Sequence, residues 1–243
     1  MAKSSPLDPL QKTLKIIVEE RLVKLFFSAL IKFLIGLLLV GLLIFLPAGT
    51  MAYPGGIRFL CLLFIPMLIM GAVMMICARD LLRKRLDAKE KQAAQKGVQS
   101  LSGLVFIAGF VLAGLDFRFG WSQVSLPVTV TASVVFLVGY GLYAEVMREN
   151  AYLSRTVKVE EGQTVVSTGL YGIVRHPMYL ASILMFLAIP IVMGSWYALI
   201  PFALYPLLMV VRIKDEEKLL TAELSGYEEY KSKVKYRLIP FIW

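Results

Sequence analysis

The side chains best suited to chemistry lie in one stretch, Gly169–Tyr179, which reads GLYGIVRHPMY. It contains the only histidine of the chain, His176, between Arg175 and Pro177, with Tyr171 and Tyr179 on either side. An imidazole can accept or hold a proton near neutral pH, and a guanidinium can grip a carboxylate at two points. Pro177 suits the first turn of a helix, where its missing N–H would have been an orphan donor. Gly169 and Gly172 free the backbone ahead of it for a tight turn or a close approach to a ligand. The plainer alternative is a helix-entry turn whose histidine only caps or pairs locally.

Two further groups can join that stretch. Arg212 with Glu216 and Glu217 follows the last apolar run, and GYEEYKSKVKYRLIPFIW, from Gly226 to Trp243, closes the chain. Arg212 and Glu216 are four residues apart, so a continuing helix puts them on one face. Taken alone, such a pair is a surface salt bridge worth well under ~1 kcal/mol.

The elements that must position these groups are apolar. Hydrophobic residues make up 58% of the 243 residues, and mean hydropathy is +0.72, beyond an ordinary soluble domain. Several runs are long enough to cross a bilayer, so the reading is an all-α integral membrane protein. Residues 1–32 alternate apolar positions (Leu10, Leu14, Ile17, Leu22, Leu25) with charged ones (Lys12, Lys15, Glu19, Glu20), an amphipathic helix lying on the membrane or on the protein. Residues 33–144 hold four spans, expected within Leu25–Tyr53, Ile57–Ala78, Val98–Leu115 and Val124–Met147. Lys32 is expected near an interface, since a lysine at mid-bilayer would cost roughly 3 kcal/mol. Residues 145–243 form the third region. Its runs Met178–Met193 and Trp196–Val211 are joined by little more than Gly194 and Ser195, which predicts a helical hairpin kinked at Pro190, Pro201 and Pro206.

Charge orders these spans. All of the 26 Lys and Arg residues except Arg58 and Arg118 fall in the N-terminal segment, the second loop, the fourth loop or the C-terminal tail. Six spans put those regions on one side, and the positive-inside rule makes that side cytosolic, with both termini and the polar site. Trp121 and Trp196 then belong to the opposite interface. The net charge of +9 is accounted for by topology and anionic lipid, without nucleic acid. Cys61 and Cys77 lie in one apolar run, with neither disulfide nor metal-ligand spacing. The first apolar run is too long and begins too late for a cleaved signal peptide. No repeat marks a two-halved transporter, and few ionisable residues mark an ion path.

In order and arrangement, TGLYGIVRHPMY, the following hairpin and RIKDEEKLLTAELSGYEEYKSKVKYRLIPFI resemble the isoprenylcysteine carboxyl methyltransferase family, which is related to phospholipid N-methyltransferases. The resemblance covers roughly residues 145–243 and leaves the N-terminal spans unassigned. It implies a membrane-embedded site for S-adenosyl-L-methionine without a Rossmann fold, in keeping with the lack of a GxGxxG after a plausible strand. By that resemblance Tyr171, His176, Pro177, Met178, Tyr179 and Glu216 surround the cofactor. Gln163, Thr164, Val165 and Val166 line it with backbone, and Glu160 is a further candidate. Arg212 and Glu217 meet substrate, and Arg175, His176 and Arg212 are the catalytic candidates. Glu216 could pair with the cofactor ammonium, while Tyr171 or Tyr179 could face adenine or sulfonium. Arg212 could hold a carboxylate nucleophile, which is already ionised at neutral pH and needs no general base. An amine nucleophile would need one, with His176 or Glu217 available. The implied partners are membrane lipid and a lipophilic or prenylated substrate. Membrane sterol reductases, which use a nicotinamide cofactor, share a related helical core and a YR-IP ending. A non-catalytic lipid-binding scaffold is the third alternative.

Overall fold

A computed structural model describes residues 9–87, 93–153 and 159–243, with side chains described from residue 19 onward and not at residues 93 and 94. The expected amphipathic contacts of Leu10, Lys12, Leu14, Lys15 and Ile17 lie outside the described side chains. Among the described residues every regular element is helical: α1 Pro9–Ala48, α2 Pro54–Cys77, α3 Arg79–Leu86, α4 Ala93–Phe119, α5 Leu126–Glu149, α6 Pro177–Met193, α7 Leu199–Phe202, α8 Tyr205–Glu223 and α9 Tyr227–Lys233. The molecule is an all-α membrane protein. Among the described residues four helical stretches are long and apolar enough to cross a bilayer: Glu19–Ala48, Pro54–Cys77, Gln95–Phe119 and Leu126–Glu149. Their outward surfaces carry many exposed leucines, isoleucines and valines, which in this setting face lipid.

The first helix runs without a break through residue 32, so the amphipathic lead-in and the first span are one 40-residue rod. Lys32 Nζ donates to the Leu86 carbonyl at 2.6 Å, where the end of α3 leaves carbonyls unpaired and favours a cation. Lysine and charged loop therefore sit at one level of the bundle.

The penultimate apolar run gives a single helix, α6. The last does not. It turns through Trp196–Ala198, forms one helical turn as α7, and restarts as α8 at Tyr205. Pro206 causes the interruption: its ring lacks an N–H and clashes with the carbonyl four residues back, at Phe202, so it sits instead in the first turn of α8. The new helix then continues beyond Val211 to Glu223, carrying Arg212, Glu216 and Glu217 out of the apolar layer on one rigid rod.

Packing fixes α6, the helix that begins with Pro177. It lies chiefly along α5, where a Cβ on Gly139 would come 2.8 Å from Met185 Cγ, so only glycine allows that approach. The central core joins Ile44, Phe59, Phe110, Phe136, Met185, Val192, Met193 and Phe202 from α1, α2, α4, α5, α6 and α7.

The end of the bundle remote from α3 is closed by polar staples. Buried Asp116 accepts from Ser122 N at 2.8 Å and from the hydroxyls of Ser122 and Ser195. Tyr53 donates to the Met193 carbonyl at 2.7 Å, and Arg58 Nε to the Val192 carbonyl at 3.0 Å. Trp121 meets Tyr197 there at 5.7 Å between ring centroids, and the Trp196 N–H donates to Ser122 Oγ at 3.1 Å. Both tryptophans and the Arg58 cation thus share one end, while α3 and the tail occupy the other.

Candidate functional site

Local geometry at Gly169–Tyr179 begins with a 3-10 turn, Gly169–Gly172. Gly169 has φ +51°, and a Cβ there would fall 1.6 Å from Glu149 Oε1. Glycine is required because the end of α5 reaches in to take the turn: Glu149 Oε2 accepts the Leu170 N–H at 3.1 Å. Asn150 then donates to the Tyr171 hydroxyl at 2.9 Å. Burial is the main cause that pushes the Tyr171 phenol up to about 12, so it stays protonated.

His176 occupies the N-cap of α6 and Pro177 its first turn, as expected from the missing N–H. Ahead of the helix, the backbone is paired by the C-terminal tail. Arg175 N–H donates to the Tyr236 carbonyl and His176 N–H to the Arg237 carbonyl, both at 2.9 Å. The Arg175 side chain extends the same seam, with Nη1 donating to the carbonyls of Val234 at 2.7 Å and Lys235 at 2.8 Å.

Glu217 is the pivot of this seam. Only 5% exposed, its Oε1 accepts from Arg175 Nε at 2.7 Å and lies 3.3 Å from His176 Nε2. Its Oε2 accepts from Arg237 Nε at 2.7 Å. Burial alone would raise this carboxyl, but the hydrogen bonds from His176, Arg175 and Arg237 outweigh it and hold the group near 2. So weak a base, with both oxygens engaged, is poorly suited to take a proton from an amine.

One turn away the arrangement differs. Tyr179 donates to Glu216 Oε2 at 2.5 Å and accepts from Arg212 Nε at 2.9 Å. The expected pair on α8 is therefore bridged by a phenol from α6. Arg212 also lies 5.9 Å from the Tyr179 ring centroid.

These side chains open on one cleft. Gln163, Thr164, Val165, Val166, Tyr171, Arg175, His176, Met178, Tyr179, Arg212 and Glu216 all line it. Pro177 does not, being occupied with starting α6. Glu160 instead meets Lys84 Nζ at 2.5 Å and fastens the loop to α3. Glu217 faces the other side of the seam, in a depression with Lys214, Lys218, Thr221, Lys231 and Arg237.

The cleft also takes residues that sequence reasoning did not single out: Asn150, Tyr152, Leu153, Leu220, Leu224, Tyr227 and Tyr230. Tyr227 and Tyr230 are three apart on α9, so the spacing in GYEEY was the available signal. Tyr230 donates to the Tyr171 carbonyl at 2.7 Å. The Tyr227 hydroxyl is buried with no hydrogen-bond partner among the described residues. An orphan donor costs free energy unless a ligand meets it. Among the described residues no group of three His, Cys, Asp or Glu side chains could hold a metal ion.

The model of the isoprenylcysteine carboxyl methyltransferase (ICMT) family matches residues 129–222. That interval runs from α5 through the 3-10 turn, the RHP entry and most of α8. The delta(14)-sterol reductase TM7SF2 of Mus musculus is 33% identical over 91 residues, 36% of this chain and only 22% of that protein's length. A solved structure of the eukaryotic intramembrane Ras methyltransferase ICMT aligns with 97% of this chain and 88% of its own, at a TM-score of 0.54 and 17% identity. At that identity the likeness speaks for the fold.

Proposed function

From the ICMT-family match over residues 129–222, we propose that the chain is a membrane-embedded S-adenosylmethionine-dependent methyltransferase. Its acceptor is the carboxylate of a lipophilic acid of the isoprenylcysteine type. The observation that carries this reading is the Tyr179 phenol joining Glu216 and Arg212 at the wall of one cleft. Two opposite charges are held there in fixed register, each matched to a different ligand group.

The cleft fits the cofactor by the chemistry of its donors. Glu216 takes the ammonium, Tyr171 or Tyr179 supplies an aromatic face for adenine or sulfonium, and Gln163–Val166 supplies extended backbone. The orphan Tyr227 hydroxyl gains a partner when the cleft fills. When bound, the cofactor supplies an electrophilic methyl group, and its transfer to a carboxylate oxygen leaves a thioether and a methyl ester. Arg212 orients that carboxylate through parallel N–H donors. An ionised carboxylate gives up no proton, so the Glu217 cluster has only to hold the tail closed and keep water out. Arg175 and Glu217 thereby act as positioning residues, and His176 joins them through its backbone and ring.

The site faces the cytosol in this reading, with α6 and the α7–α8 segment completing six crossings. The basic residues of the α2–α4 connection and of the tail lie on that side. The acceptor enters from the bilayer and the cofactor from water.

The sequence shared with the mouse sterol reductase favours a second reading, in which the cleft takes a nicotinamide dinucleotide. Its phosphates would meet the Glu216 carboxylate, and the Arg175 guanidinium is already taken by Glu217 and two tail carbonyls. Thermal unfolding of purified protein separates the two. Stabilisation by S-adenosylmethionine or its demethylated product, and none by NADPH, supports the methyltransferase, since a ligand bound only to the native state adds RT ln(1 + [L]/Kd). The reverse pattern supports the reductase.

A further inference from the structure

On the far side of the seam from the cleft lies the depression that Glu217 faces. Lys214 and Lys218 enter from α8, one turn apart, with Thr221 on the same helix. Lys231 enters from α9 and Arg237 from the tail. Four cations from three segments thus converge around one buried carboxylate, which is itself neutralised by Arg175 and Arg237. Two neighbouring acids temper the charge. Asp215 lies 3.3 Å from Lys218 and Glu228 lies 3.1 Å from Lys231. Both are exposed pairs within one helix, which water and salt weaken.

Position narrows the ligand. Lys214 stands two residues after Arg212, where the apolar run of α8 ends, so the depression opens at headgroup depth. Close by in the tail, Phe241 and Ile242 are 88% and 76% exposed, apolar side chains suited to an interfacial layer rather than to water.

We propose that this depression is a binding site for the phosphate of an anionic phospholipid headgroup, separate from the cofactor cleft. Lys214, Lys218 and Lys231 supply point charges, and Arg237 supplies the guanidinium edge left over from its bond to Glu217. The site reports to the cleft through that same arginine. Arg237 holds Glu217 by its side chain and the His176 N–H by its carbonyl, and its guanidinium lies 5.2 Å from the Trp243 ring centroid. A bound phosphate fixes Arg237 and so firms the seam that closes the cleft.

The test uses the full chain in nanodiscs of pure phosphatidylcholine or of phosphatidylcholine with phosphatidylglycerol. The wild type is expected to unfold at higher temperature and to retain more phosphatidylglycerol in the mixed discs. The triple variant Lys214→Ala, Lys218→Ala, Lys231→Ala is expected to match the wild type in neutral discs and to lose the gain in mixed ones. At roughly fivefold per lysine near a charged surface, its preference for the anionic lipid falls about 100-fold. An undiminished gain in the variant, or no gain in the wild type, overturns the proposal. Inorganic phosphate in neutral discs is expected to do little, and equal stabilisation by it would overturn the lipid as the ligand's source. None of these readouts depends on methyl transfer, so the site and the enzymatic reading fail separately.

Discussion

Replacing Glu217 with glutamine keeps the shape of the side chain and removes the negative charge shared by Arg175, Arg237 and His176. Removing one partner of a buried pair costs roughly 3–5 kcal/mol, because the other charge is left uncompensated. Arg175 keeps its two tail carbonyls, which places the loss near the lower bound. Proton linkage gives a similar figure. A carboxyl lowered from 4.5 to about 2 contributes about 3 kcal/mol at neutral pH. That contribution is fully present above the unfolded value near 4.5 and is lost as pH falls through the folded value near 2. Thermal unfolding of wild type and Glu217→Gln in detergent should therefore differ by roughly 6–12 °C from pH 8 to 5. Below pH 4.5 the wild type loses its advantage, and the two curves converge toward pH 2. A gap under about 1 kcal/mol at pH 7, or a gap that ignores pH down to 2, would refute Glu217 as the pivot of the seam.

Three further outcomes follow from the same geometry. Gly169→Ala meets both the positive φ and the Glu149 carboxylate, so it should lose roughly 1–3 kcal/mol from backbone strain alone and weaken cofactor binding, read by unfolding with and without ligand. Tyr227→Phe should leave the ligand-free protein as stable as wild type, since it removes an unpaired hydroxyl, yet cut cofactor affinity about two- to tenfold by titration calorimetry. With Cys61 and Cys77 replaced, a cysteine at Ser232 should react only with reagent on the cytosolic side and one at Gln123 only from the other. Labelling of both from one side would overturn the six-span arrangement.

Much of this arrangement could be read from local pattern. Pro177 opening α6 and the Arg212–Glu216 face of α8 follow from backbone chemistry and spacing. What escaped the sequence depends on distance in space. No periodicity says that Tyr179 will reach residues 33 and 37 positions away. Glu217 was expected to meet substrate beside Arg212, but successive helix residues point about 100° apart, so Glu216 faces the cleft and Glu217 the tail. The interruption at Ala203–Leu204 was signalled by Pro206 but was expected as a kink. The Asp116 staple was hidden because a lone acid at the end of a span looks interfacial until Ser122 and Ser195 are seen to converge on it. The N-terminal rod looked divided at Lys32 only because composition changes there while the helix does not.

In the proposed function Glu216 and Arg212, joined by one phenol, serve different ligands. Glu216→Gln should weaken cofactor binding roughly 10–100-fold, as expected for a hydrogen bond to a charged group. Arg212→Lys should bind cofactor nearly as wild type does, yet lose the planar two-point grip on the acceptor. The most direct measurement is the rate of labelled methyl transfer from S-adenosylmethionine to an N-acylated S-prenylcysteine in nanodiscs, for wild type and Arg212→Lys at saturating cofactor. The wild type is expected to give a base-labile methyl ester, and the variant a rate at least about tenfold lower. Equal rates in the two proteins, or no ester from the wild type, would contradict it.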